Sequence, residues 1–352
     1  MASIITFFKA HVRLTIVVII YVLIACTAWW RYVDILTFVR PGLVPEGAFS
    51  VHAMRLYAHL AGSEAMYVRY AKVLETHTIG RAHRAAHVIG QVLYEREGVG
   101  AIAICGQYFT AGCLHQVMGL ALAEYGEDAI EELIFACHET TGSSQGMCAH
   151  SLGHGLVYIT EYDPKKLIEN LYKCDAMHQP PVDHLQSCYA GVFMEYNTHL
   201  MEYQLPEPRP YTPAEEVAFC TAFADPLHQR MCIFWLVSLI HIEKYAFAYS
   251  PTVFRELGDF CESVPTDELQ RECYMSIGRT ISINGLLEPE QAFAYCGAAA
   301  ENSKNMRACT NWASRAYHEA NNDRAANILC EKLPKEEVNA CKQYAFAFVE
   351  TI

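Results

Sequence analysis

The chain has 352 residues, 52% hydrophobic and 18% charged, which excludes a disordered or collagen-like polymer and leaves enough apolar material for a sizeable core. Twenty-six basic residues against 39 acidic ones give a net charge of −13 with no basic stripe, so nucleic acid is not an expected partner. Fifteen cysteines are too many to ignore, and their odd number requires one with a separate fate.

In chain order, residues 1–13 read as a short cytoplasmic N-terminus. The uncharged run LTIVVIIYVLIACTAWW from Leu14 to Trp30 follows, with Lys9 and Arg13 before it and Arg31 and Arg40 after it. Seventeen residues is the lower limit for a membrane-spanning helix, so a signal anchor over 14–30 is expected. Leu23-Ile24-Ala25-Cys26 also fits a lipoprotein signal with Cys26 lipidated, and a cleaved signal peptide is a third reading. Either of the first two tethers the chain to a membrane and removes Cys26 from the pairing problem. Residues 31–49 read as a linker.

The other fourteen cysteines, from Cys105 to Cys341, alternate short intervals of 8–14 residues with long ones of 21–32. Such alternation indicates a repeat of helix hairpins. Between pairs the sequence is amphipathic, as in Glu127 to Ala136, which ends at Cys137; after each pair comes an apolar, small-residue-rich helix. Each repeat therefore reads as helix A, loop, helix B, with a cysteine at the end of A and another at the start of B, facing each other across the turn. The expected disulfides are Cys105–Cys113, Cys137–Cys148, Cys174–Cys188, Cys220–Cys232, Cys261–Cys273, Cys296–Cys309 and Cys330–Cys341. Bridges on this scale imply an oxidising compartment outside the cytoplasm: periplasm, cell surface or lumen.

A cysteine-free hairpin precedes these, with His52–Glu75 as helix A and Arg81–Glu97 as helix B. The proline-rich stretch 205–213 marks a bend between His-rich repeats over 50–204 and C-terminal repeats over 214–352. The expected fold class is all-α: an α-solenoid of about eight helical hairpins with seven intra-hairpin disulfides, behind one transmembrane helix. This architecture resembles the disulfide-stapled Sel1-like and tetratricopeptide-like α-solenoids. The resemblance covers residues 50–352 and implies a peptide- or protein-binding role.

Nine of the 16 histidines lie between His77 and His184. Aligned on their cysteines, the B helices place His115 and His150 two residues after Cys113 and Cys148. Ala82-His83-Arg84-Ala85-Ala86-His87 of the first hairpin matches Ala149-His150-Ser151-Leu152-Gly153-His154. Residues at i and i+4 share a helix face, so each HxxxH pair can bracket one metal or ligand. Neighbouring helices could then bring His83, His87, His115, His150 and His154 to a transition metal such as zinc, copper or iron. Glu95, Glu124, Glu161 and Glu195 follow on the same helices, and His138 lies on a nearby loop; His138 and Glu161 are the expected helpers. Gly90, Gly119, Gly153, Gly155 and Gly191 would permit close helix approach. No CxxCH supports covalent haem.

Two functions follow as expectations. The first is a membrane-anchored extracytoplasmic binding or scaffolding module for a protein or peptide partner. The alternative is a metal-binding protein or metal-dependent enzyme built on the five histidines.

Overall fold

The computed structural model describes residues 17–22, 27, 32–44, 48–75, 77, 79–106, 109, 111–140, 143–179, 182–198, 212–245, 248–282, 287–319 and 322–346. Most of the 14–30 run, the Leu23–Cys26 stretch and residues 205–211 of the proline-rich stretch lie outside these. Residues 17–22 are helical and exposed; among the described residues no helix is long and apolar enough to cross a membrane. Residues 32–39, placed in the expected linker, form a helical segment bound to the first hairpin. There the Tyr70 hydroxyl donates to the Thr37 carbonyl (2.9 Å) and Arg69 to that of Phe38 (2.9 Å).

The first hairpin differs from the expectation on one arm. Its A arm is two helices, α1 (Val51–Ala61) and α2 (Ser63–Leu74), broken at Gly62, whose φ of +93° is open to glycine and strained for other residues. The Ser50 side chain caps α1 by accepting from the Ala53 amide. The B arm, α3 (Ile79–Glu97), starts two residues earlier than expected.

Beyond it the stapled hairpins follow in order. The A arm of the first is a 3₁₀ helix, Gly98–Ala103, in place of the expected α-helix, with α4 (Gly112–Tyr125) as its B arm. Then come α5 (Ile130–Glu139) with α6 (Ser143–Ile159), and α7 (Leu167–Cys174) with α8 (Leu185–Thr198). The loop between α7 and α8 holds a small antiparallel pair, β1 (His178–Gln179) and β2 (Val182–Asp183), which the sequence did not announce. The C-terminal hairpins are α9 (Pro213–Thr221) with α10 (Pro226–Tyr245), and α11 (Pro251–Glu262) with α12 (Asp267–Ser282). Last come α13 (Pro289–Ala299) with α14 (Ser303–Glu319), and α15 (Asp323–Cys330) with α16 (Lys335–Phe346). Proline opens α9, α10, α11 and α13, where its missing N–H costs no helix hydrogen bond.

All seven cysteine pairs lie at disulfide distance with the expected partners, Cα–Cα 5.4–5.7 Å. Each closes a loop of 8–14 residues, a constraint worth about 3 kcal/mol in the chain-entropy account. All fourteen cysteines are buried, so the staples sit in the core where A and B arms meet.

The B helices form one continuous layer, in which α3, α4, α6, α8, α10, α12, α14 and α16 each pack on the next. Within it the α6/α8 and α12/α14 pairs are the closest. A Cβ on Gly153 would lie 2.1 Å from the Cys188 carbonyl oxygen, and one on Gly278 would lie 2.0 Å from that of Cys309. Neither position tolerates a side chain without moving backbone.

Candidate metal centre

The five aligned histidines converge. His83 and His87 project from α3, His115 from α4, and His150 and His154 from α6. Neighbouring ring centroids are 4.5–6.0 Å apart, from His115–His154 at 4.5 Å to His115–His150 at 6.0 Å. Two triads, His83/His87/His115 and His115/His150/His154, each place one nitrogen per residue within 4.8 Å of the others. Gly119 takes the second-histidine place in α4 and adds no side chain, so His115 stands alone between the two pairs.

The two pairs are built alike. The first histidine of each donates from Nδ1 to a backbone carbonyl, His83 to Phe109 (2.9 Å) and His150 to Ser187 (3.2 Å). The second directs Nδ1 to a side-chain oxygen of the next B helix, His87 to Gln116 Oε1 (3.1 Å) and His154 to Glu195 Oε2 (2.6 Å). The Nε2 atoms then face each other within each pair, at 3.1 Å for His83–His87 and 3.0 Å for His150–His154.

Tautomer logic gives this arrangement its chemical content. Carbonyl and carboxylate oxygens only accept, so His83, His150 and His154 carry their protons on Nδ1 and, when neutral, present bare lone pairs at Nε2. The proton positions are assigned from these partners. Two lone pairs 3.0 Å apart repel unless a cation lies between them. Two Zn–N bonds of about 2.0–2.1 Å at a tetrahedral angle span about 3.3 Å, close to both pair distances. The His150–His154 pair carries the argument, because Gln116 could turn its amide whereas Glu195 has no donor to offer.

Three of the five imidazoles resist protonation. Burial, together with the neighbouring His83, pushes the His87 imidazole down to about 3, and burial holds His115 and His150 well below the usual histidine range. His115 Nε2 is buried with no hydrogen-bond partner among the described residues, an unmet demand that a metal would satisfy.

The surrounding shell is hydrogen-bonded and holds strained backbone. Buried Glu195 accepts from His154 and, through Oε1, from the Tyr162 hydroxyl (2.9 Å). A carboxylate that orients a ligating imidazole in this way also raises its basicity. Among the described residues the non-glycine positions with positive φ are Phe109, Ala111, Glu161 and Tyr162. All four lie in the loops that support the cluster: Phe109 supplies the carbonyl for His83, Ala111 precedes α4, and the 161–162 turn places Tyr162 on Glu195. Backbone strain held at a site is usual where geometry is being imposed.

The expected helpers do not join. Glu161 is exposed on its turn, because its left-handed backbone aims Tyr162 inward instead. His138, at the end of α5, belongs to neither triad. Of the other carboxylates, Glu95 pairs with Arg55 and Glu124 accepts from the Tyr94 hydroxyl, both at the exposed end of the layer, so Glu195 alone reaches a histidine. Gln116, Tyr162 and the two carbonyl acceptors were not legible as partners in the sequence; Gln116 lies three residues after Cys113, beside His115, and the register could have exposed it. Gly90, Gly153, Gly155 and Gly191 do stand at close approaches between neighbouring helices.

Compared with protein families, with curated proteins and with solved structures, the chain matches none.

Proposed function

We propose that this chain is a transition-metal-binding helical-repeat protein, held on a membrane by its N-terminal 14–30 segment and facing an oxidising, extracytoplasmic compartment. The supporting observation is the His150–His154 pair, two Nε2 atoms 3.0 Å apart with their protons committed elsewhere. His115, His150 and His154 supply three nitrogens, and His83 with His87 supply two more. An all-imidazole set suits zinc, copper or iron, and three protein ligands leave a coordination position for water or substrate. That open position is what a metal-dependent enzyme requires, with Glu195 setting the orientation of His154. Seven buried disulfides favour the oxidising compartment.

A scaffolding role for a protein or peptide partner remains the second reading. It is supported by the repeat-like packing of adjacent helices and by exposed apolar side chains on the outer A arms, Phe135 on α5 and Ile168 and Tyr172 on α7.

Metal analysis of the purified full-length chain tests the first reading. After reconstitution with zinc, copper or iron, about one ion per chain or more is expected, and the His83→Ala/His150→Ala double variant is expected to lose it. A wild-type chain that retains no metal after all three reconstitutions overturns the proposal.

A further inference from the structure

The cysteine register that aligns the histidines also aligns an arginine pair. Six residues after the second cysteine stand His154 in α6, Arg279 in α12 and Arg315 in α14. The first two share a longer pattern, Cys148-Ala149-His150-Ser151-Leu152-Gly153-His154 against Cys273-Tyr274-Met275-Ser276-Ile277-Gly278-Arg279. Gly153 and Gly278 meet the same backbone atom of the next helix, the carbonyl oxygen of its cysteine. The α6/α8 and α12/α14 interfaces are therefore the same construction.

They differ in the group that answers the sixth position. Seven residues after Cys188 stands Glu195, which accepts from His154; seven after Cys309 stands Ala316, which offers nothing. Arg279 consequently has neither an ion-pair nor a hydrogen-bond partner among the described residues, and the acid that acts on it, Glu319, does so only through space while bonded to Arg315. Protein surrounds it closely enough to push its guanidinium down to about 10, yet part of its surface stays accessible. It stacks over Trp235 with its guanidinium carbon 4.1 Å from the ring centroid. Trp235 in turn lies 6.2 Å from His150, so the guanidinium and the imidazole are within about 10 Å of each other.

Further unmet donors lie along the same layer. Arg315, 3% exposed, donates Nε to Glu319 at 3.0 Å, but its Nη2 is buried with no partner. The indole N–H groups of Trp235 and Trp312 are also buried and unpartnered, on side chains 4% and 5% exposed. Phe234, next to Trp235, touches Trp312 at 5.2 Å between centroids, so α10 and α14 meet around these groups. Guanidinium and indole groups donate and do not accept, and a guanidinium fork matches an oxyanion.

We infer that Arg279 and Arg315, with the indole N–H groups of Trp235 and Trp312, form an oxyanion-binding station beside the histidine cluster, taking the carboxylate or phosphate of a small ligand. The ligand's other end reaches the metal, and this second clause alone rests on the metal-centre reading. Water could fill the indole sites, but it would leave Arg279 with only the through-space charge of Glu319, an acid already bonded to Arg315.

The chain carries four tryptophans, so Trp29→Phe/Trp30→Phe in the full-length protein leaves Trp235 and Trp312 as its only indoles. Tryptophan emission is then followed during titration with orthophosphate and, separately, with succinate, before and after metal removal. A saturable change with one anion is expected and assigns phosphate or carboxylate accordingly. Arg279→Gln is expected to weaken it about 10-fold or more, and Arg279→Lys, which keeps the charge and loses the fork, to give an intermediate affinity. No saturable change with either anion, or equal affinity in wild type and both variants, overturns the station. Anion binding that survives in a chain found to hold no metal keeps the station and removes only the link to the metal; metal binding without anion binding removes the station and leaves the metal centre standing.

Discussion

The α6/α8 and α12/α14 pairs share a backbone and diverge in chemistry. Both are stapled within the first two turns of their helices and both close on a glycine pressed against a cysteine carbonyl, so the main chain treats them alike. What separates them is one acceptor: Glu195 in the first and Ala316 in the second. With the acid present, the sixth position is a histidine whose Nδ1 is bonded to a buried carboxylate; without it, the position is an arginine with no directly bonded acid among the described residues. A repeat fold can thus change the task of a site by altering the residue facing it while leaving the packing unchanged.

Experiments that break the shared part should have the largest effect and should hit both pairs equally. Replacing both cysteines of one staple, Cys174→Ser/Cys188→Ser or Cys296→Ser/Cys309→Ser, is expected to cost about 2–5 kcal/mol in denaturant unfolding. A large loss in one pair and none in the other would deny their equivalence. Gly153→Ala and Gly278→Ala should each cost about 1–3 kcal/mol, because the added Cβ meets backbone that cannot yield cheaply.

Experiments on the divergent part should separate the pairs. Glu195→Gln is expected to lower metal affinity about 10–100-fold, read by competition with a chelator, with little change in fold. An unchanged affinity would remove Glu195 from the metal shell.

Acid provides a graded test. His87 titrates near 6.5 when unfolded and only at about 3 when folded, with His115 and His150 shifted the same way. Below 6.5 the unfolded chain binds protons that the folded chain refuses, so stability of the metal-free protein should be full above that pH and fall steadily as pH drops toward 3. Denaturant midpoints against pH check this, and His87→Gln should flatten the slope. The smallest effect sharpens the comparison from the other side: Ala316→Glu supplies Arg279 with the missing acid, and is expected to change stability by about 1 kcal/mol or less while abolishing the anion response.

Much of this was legible because covalent staples impose a strict register. Once the second cysteines are aligned, His115 and His150 fall in one position, the matching Ala82–His87 and Ala149–His154 segments add His83, and the seven pairings follow from spacing alone. The residues that give the cluster its chemistry were not legible, because they approach from other helices and loops. Glu195 could not be preferred over Glu161 without knowing that the 161–162 turn adopts positive φ, which leaves Glu161 exposed and delivers Tyr162 to Glu195. The break at Gly62 and the 3₁₀ arm before Cys105 were hidden for a similar reason, since local propensity is a weak prior that packing overrides.

The amino-acid sequence alone determined the class of fold, the staples and the helix face on which the histidines stand, because each depends on the period of a helix and on residue spacing along one chain. Only the tertiary structure decided that the five imidazoles meet and that His150 and His154 direct their Nδ1 atoms at acceptors on the next B helix. It also decided that Arg279 has no directly bonded acid among the described residues. The partners of the second histidines depend on distances of about 3 Å between helices 29 and 41 residues apart in sequence, His87 with Gln116 and His154 with Glu195, and such distances are set by the packing of one helix on the next.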